Sequence, residues 1–128
     1  MFDFVTLEDV FDLHGDSLRE HGGMPGVRDQ GLIESALGSA LHAYFYGGGD
    51  VFDVAAAYAF HLAESQAFLD GNKRTAISTT LMFLNINGHV LIPEQMDQNI
   101  LYDAMIAIAR HELDKRGFAD VLRRLFCP

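Results

Sequence analysis

Positive charge is scarce in this sequence: nine Lys and Arg stand against eighteen Asp and Glu, a formal net charge of −9 at pH 7. A chain of that sign repels a phosphate backbone and has no basic face from which counterions could be released, so direct nucleic-acid binding is not expected. Cysteine is scarcer still. Cys127 is the single one; with no metal-type spacing or Cys-His signature around it, it reads as a small apolar residue of a terminal segment. The opening Met1-Phe2-Asp3-Phe4 lacks the basic and apolar regions of a secretion signal, so a cytoplasmic location is expected. One uncharged stretch reaches membrane-spanning length, Thr75 to Pro93, but it contains Ser78, Thr79, Thr80, Asn85, Asn87 and His89. It reads as a core helix and its exit, so no membrane span is expected.

What is present is apolar bulk. Hydrophobic residues make up 49% of 128, with ten Phe and four Tyr, enough for one soluble domain, residues 1–128, with its own core. Thr6 followed by Glu8 and Asp9 reads as a helix start, with Leu7, Val10, Phe11, His14 and Leu18 near one face until Gly22 and Gly23 end it. A loop rich in Gly and Pro, Gly22 to Arg28, leads to Asp29 as the cap of a second helix through about Tyr44, with Leu32, Ile33, Ala36, Leu37, Ala40 and Leu41 inward. After Gly47-Gly48-Gly49, a helix from about Val51 to Phe68 is apolar nearly all round and is expected to be central. A fourth helix runs from Asn72 to about Ile86, closed by Gly88; His89 to Ile92 reads as extended, Pro93 opens a fifth through about Arg110, and the last spans Phe118 to Phe126. The pattern is an all-α, compact bundle of about six helices.

Between Asp29 and Ala109 the only basic residues are Lys73 and Arg74, side by side in Phe68-Leu69-Asp70-Gly71-Asn72-Lys73-Arg74-Thr75. They fall in the first turn of the fourth helix, where the helix dipole is already positive and disfavours cations. Two readings are open. The side chains reach for carboxylates elsewhere on the fold, or the free N–H groups, the preceding Gly71 and the two cations together form a phosphate cradle. Asp70 then either caps the helix or places a carboxylate where Mg²⁺ would bridge phosphate oxygens. Asn72 either donates to a phosphate or merely occupies the turn, and Phe68 reads as a core anchor. The run is not a P-loop, since the Lys does not follow the Gly, no first Gly stands at the needed spacing, and a helix precedes the turn.

Gln66-Ala67-Phe68-Leu69-Asp70-Gly71-Asn72-Lys73-Arg74 resembles the signature of the Fic/Doc superfamily, His-Pro-Phe-x-Asp/Glu-Gly-Asn-Gly/Lys-Arg, departing at its first two positions. Lys73, the short length, the Gly22–Gly26 loop ahead of Arg28-Asp29 and the late Leu122-Arg123-Arg124-Leu125 are similar to the Doc branch, so the likeness covers essentially the whole chain. It implies a Fido fold and the toxin half of a toxin–antitoxin pair. It further implies ATP or another nucleotide bound with Mg²⁺ at the turn, and transfer of a phosphoryl or nucleotidyl group to a protein hydroxyl. Its implied partners are an antitoxin whose helical tail packs onto the toxin, and a translation factor, elongation factor Tu, as acceptor. By position, Asp70 would hold Mg²⁺, the backbone N–H groups of Gly71 and Asn72 would form the anion hole, and Lys73 and Arg74 would clamp the phosphates.

Gln66 stands where the family places its catalytic His. A carboxamide orients a hydroxyl but takes no proton near neutral pH. His61 lies earlier on the same helix and round its barrel, and with Glu64 forms at most half of a metal site. A general base is typically worth ~10²–10⁴-fold, while positioning and charge neutralisation carry most of phosphoryl transfer. Two classes therefore remain: a slow or differently based transferase using Gln66, Asp70, Lys73 and Arg74, and a Fido domain that binds nucleotide or a partner without turnover. A third, a purely structural helical module, leaves the Lys73–Arg74 placement unexplained.

Overall fold

A computed structural model describes residues 1–91 and 98–127. These form α1 (Leu7–His21), α2 (Gln30–Phe45), α3 (Val51–Ser65), α4 (Asn72–Ile86), α5 (Gln98–Ala109) and α6 (Lys115–Phe126). The architecture is all-α, and no helix among the described residues is long and apolar enough to cross a membrane.

α3 occupies the centre. Every residue from Val54 to Ala59 is 0% exposed, and α2, α4, α5 and α6 all pack against it. Alanine on so many faces lets four neighbours approach one axis, an arrangement bulkier side chains would hold apart. Within this core the Tyr58 hydroxyl accepts the Val5 N–H at 3.0 Å, tying the N-terminal segment to α3, and burial pushes the phenol up to about 12.

The helix starts follow local chemistry. Thr6 and Asp9 form a reciprocal capping box at α1, and Asp50 and Asp53 another at α3. The Asp50 carboxylate, with Asp53, also receives the Arg123 guanidinium of α6, at 2.9 Å in each case. Partial burial opposes ionisation of Asp50, yet the hydrogen bonds from Arg123 and the Asp53 N–H hold its carboxyl below the ordinary 3.8. α4 ends as its Gly predicts: Gly88 has φ +89 and the His89 N–H returns to Leu84 O at 2.8 Å.

Several expectations are corrected. α3 stops at Ser65, not Phe68, because residues beyond it bond to the Gly-rich loop. Ala67 O accepts from Arg28 and Asp29 N–H at 2.7 and 3.1 Å, and Leu69 N–H donates to Gly26 O at 3.1 Å. Asp29 does precede α2, but its carboxylate makes no capping bond. Leu32 and Leu41 are 37% and 40% exposed; Ile33, Ala36 and Ala40 form the buried stripe. α6 begins at Lys115, ahead of Phe118, since Asp114 accepts the Gly117 N–H at 2.7 Å. Of the expected extended exit His89 to Ile92, residues 89–91 lie in no helix, and Ile92 and the expected start at Pro93 lie outside the described residues; Cys127, in its terminal segment, is exposed.

Candidate active site

The turn between α3 and α4 is built around Phe68. Its ring is buried, and the Asn72 carboxamide clamps its backbone from both sides, Oδ1 accepting the Phe68 N–H at 2.9 Å and Nδ2 donating to its carbonyl at 3.0 Å. The Asn72 side chain is thus committed to the turn. From below, His14 of α1 stacks on Phe68 with ring centroids 3.7 Å apart and planes 12° from parallel, and its Nε2 lies 2.8 Å from Asp70 O. A carbonyl only accepts, so His14 carries its hydrogen on Nε2.

Gly71 then reverses the chain with φ +79 and stands at the N-cap of α4 without a capping side chain. The first backbone bond of the helix runs from Thr75 N to Gly71 O. The N–H groups of Asn72, Lys73 and Arg74 therefore find no acceptor among the described residues, leaving the positive end of α4 open to an anion.

Asp70 does not cap α4. Its Oδ1 accepts the N–H of Gly71 at 3.0 Å and its Oδ2 that of Met24 at 3.2 Å, so the carboxylate holds the Gly-rich loop against the turn. The loop's backbone needs its glycines: Gly23 and Gly26 have φ of +127 and +130, a region that residues with side chains rarely adopt. Each carboxylate oxygen keeps a lone pair beyond these bonds, and a single carboxylate beside a phosphate site is a donor set that suits Mg²⁺.

A cavity of about 600 Å³ opens beside the turn, and Gln66, Asp70, Gly71, Asn72, Lys73 and Arg74 all line it. The residues singled out in the sequence are brought together here. Neither cation goes to a carboxylate: among the described residues Lys73 has no partner, while Arg74 stands with Nη1 3.3 Å from His21 Nε2 and its guanidinium 5.1 Å from the Tyr102 ring centroid. Gln66 ends α3 in the left-handed conformation, φ 51 and ψ 46, with its side chain exposed and unpartnered among the described residues. A non-glycine residue there carries strain of order 1 kcal/mol.

His61 is placed elsewhere. It lines a separate small cavity with Glu64 and Ser35, and its Nε2 is 3.1 Å from the Lys115 ammonium. Burial first, and then Lys115, lowers its pKa below the ordinary 6.5. Among the described residues no group of three or more His, Cys, Asp or Glu is arranged to hold a metal, so the His61–Glu64 pair stays a pair.

Sequence reasoning missed His21 and Tyr102, which complete the wall of the cavity. His21 had a signal, since Val10, His14, Ser17 and His21 recur at helical spacing on the face of α1 that meets the turn. Tyr102 had none, because only the packing of α5 brings it over Arg74.

An all-α bundle presenting an Asp-Gly-Asn-Lys-Arg turn at one end is the arrangement of a Fido domain. Comparison agrees: the Fic/DOC family profile matches residues 4–84, and the chain belongs to that family. Among its relatives, the protein kinase doc of Escherichia phage P1 is 33% identical over 95% of this chain and 94% of its own length. The toxin Doc of Mycolicibacterium smegmatis is 34% identical over 93% of this chain and 90% of its own.

Proposed function

We propose that this chain is a Doc-type toxin that binds a nucleoside triphosphate, ATP as the working choice, in the cavity at the α4 N-terminus and transfers a phosphoryl or nucleotidyl group to a protein hydroxyl. The observation that carries the reading is the pair Lys73–Arg74, which among the described residues meets no carboxylate and stands beside three N–H groups without acceptors at the edge of that cavity. Such a corner is favourable once a polyphosphate is present and unfavourable without one. In this scheme Lys73 and Arg74 clamp the phosphates and the N–H groups of the turn bind the oxygens on which charge accumulates. Asp70 would hold Mg²⁺, which when bound supplies charge neutralisation. Gln66 orients the acceptor hydroxyl. The relatives' names, one a protein kinase and one a toxin, support phosphoryl transfer and a growth-arresting role, hence a cognate antitoxin; a translation factor such as elongation factor Tu is the proposed acceptor.

A second reading, a Fido domain that binds nucleotide or a partner without turnover, is favoured by one observation, Gln66 at the position of the motif His. Two experiments address both. Calorimetry with Mg-ATP on the Lys73→Ala/Arg74→Ala double variant should show binding lost with the fold kept, and unchanged affinity refutes the cradle. Expression of the chain alone should arrest growth, and Asp70→Ala should relieve the arrest; absence of arrest selects the binding-only reading.

A further inference from the structure

We propose that His21 is the catalytic proton acceptor of this site, doing from α1 what Gln66 cannot do from the α3–α4 turn. The inference rests on the transferase reading above. An acceptor hydroxyl must lose its proton as its oxygen bonds to phosphorus, and the cavity offers few groups able to take it. Gln66 is not basic, Lys73 and Arg74 are cations, Tyr102 arrives with its own proton, and Asp70 is the carboxylate given to Mg²⁺ in the reading above. His21 is the imidazole that lines the cavity, and imidazole is the side chain suited to exchanging protons near neutral pH.

Its contacts show how it would be kept ready. Arg74 can only donate, so at 3.3 Å its Nη1–H points at a lone pair on His21 Nε2. That nitrogen is covered in this arrangement by the cation that clamps the phosphates. When Arg74 turns to the incoming triphosphate, that lone pair is released, so nucleotide binding itself uncovers the base. Of the other charges nearby, Glu20 Oε2 lies 3.6 Å from the same nitrogen. Lys73 and Asp70 across the cavity oppose each other in sign. In the step, the acceptor O–H gives its proton to Nε2, its oxygen bonds to the transferred phosphorus, and the P–O bond to the leaving phosphate breaks with its electron pair departing on that phosphate. The imidazolium then returns its proton to solvent.

The test separates basicity from structure. His21→Gln keeps an acceptor for Arg74 and removes only the basic lone pair; it should bind Mg-ATP as the parent does by calorimetry, yet lose roughly 10²–10⁴-fold in transfer and no longer arrest growth. Adding Gln66→His to His21→Gln should restore arrest, because the family's usual base then makes His21 dispensable. A His21→Gln chain that arrests growth like the parent overturns the proposal, as does an arrest that Gln66→His fails to restore, since a structural role for His21 would not be bypassed from the turn. A parent chain that binds Mg-ATP without arresting growth overturns it too, leaving the binding-only reading. A parent chain that gives no heat with Mg-ATP removes the nucleotide site, and this inference with it.

Discussion

Asn72→Ala separates the two roles that the sequence left open for this residue. In the structure the carboxamide makes both an N–H···O bond from Phe68, at 2.9 Å, and one to its carbonyl, at 3.0 Å. Truncation removes both and leaves the backbone groups of a residue 2% exposed without partners. At ~1 kcal/mol net for each bond, and more where water cannot replace it, the loss is about 2–3 kcal/mol. For a chain of 128 residues that corresponds to a fall in Tm of roughly 8–12 °C, at about 4 °C per kcal/mol. Urea unfolding followed by circular dichroism reads the change directly. Asn72→Asp keeps the acceptor for the Phe68 N–H and adds a favourable charge at the helix start, so it should lose less than half as much. If Asn72→Ala unfolds within about 0.5 kcal/mol of the parent while its Mg-ATP affinity collapses, the side chain serves the phosphate and the clamp argument fails.

Two further perturbations address the scaffold. Tyr58→Phe deletes the acceptor of the buried Val5 N–H and should cost about 1–2 kcal/mol in urea unfolding; a neutral result would mean that the N-terminal segment finds another partner. His61 has a folded-state pKa below its ordinary 6.5, so the unfolded chain binds the proton more readily, and stability should be steady above 6.5 and fall as pH drops through that value. Comparing unfolding midpoints of the parent and His61→Gln at pH 7.5 and 5.5 isolates this contribution; the parent should lose more on acidification, and equal losses would refute the assignment.

The legible part of this protein is the part written in short spacings. Thr6 with Asp9 and Asp50 with Asp53 announce their helices because a capping box closes within three residues, and the Gly breaks and the unbroken apolar run Val54 to Phe60 of α3 place the bundle and its central helix. The candidate site was likewise marked by an electrostatic misfit at Lys73–Arg74, since the sign of a helix terminus is a local property. What the spacing misjudged was where α3 ends: Phe68 belongs to its apolar pattern, yet its backbone bonds go to Asn72 and the segment around it pairs with the loop at Gly26–Asp29.

The amino-acid order by itself determined an all-α chain with a cationic turn after its central helix and the carboxamide of Gln66 just ahead of that turn. Tertiary structure alone decided what faces that turn: His14 beneath Asp70, 56 residues away in sequence, His21 against Arg74, 53 residues away, and Tyr102 from α5. Caps and periodicity act over a few residues and can be read along the chain, whereas the wall of a cavity is assembled by the packing of helices whose separation in sequence carries no information about their approach in space.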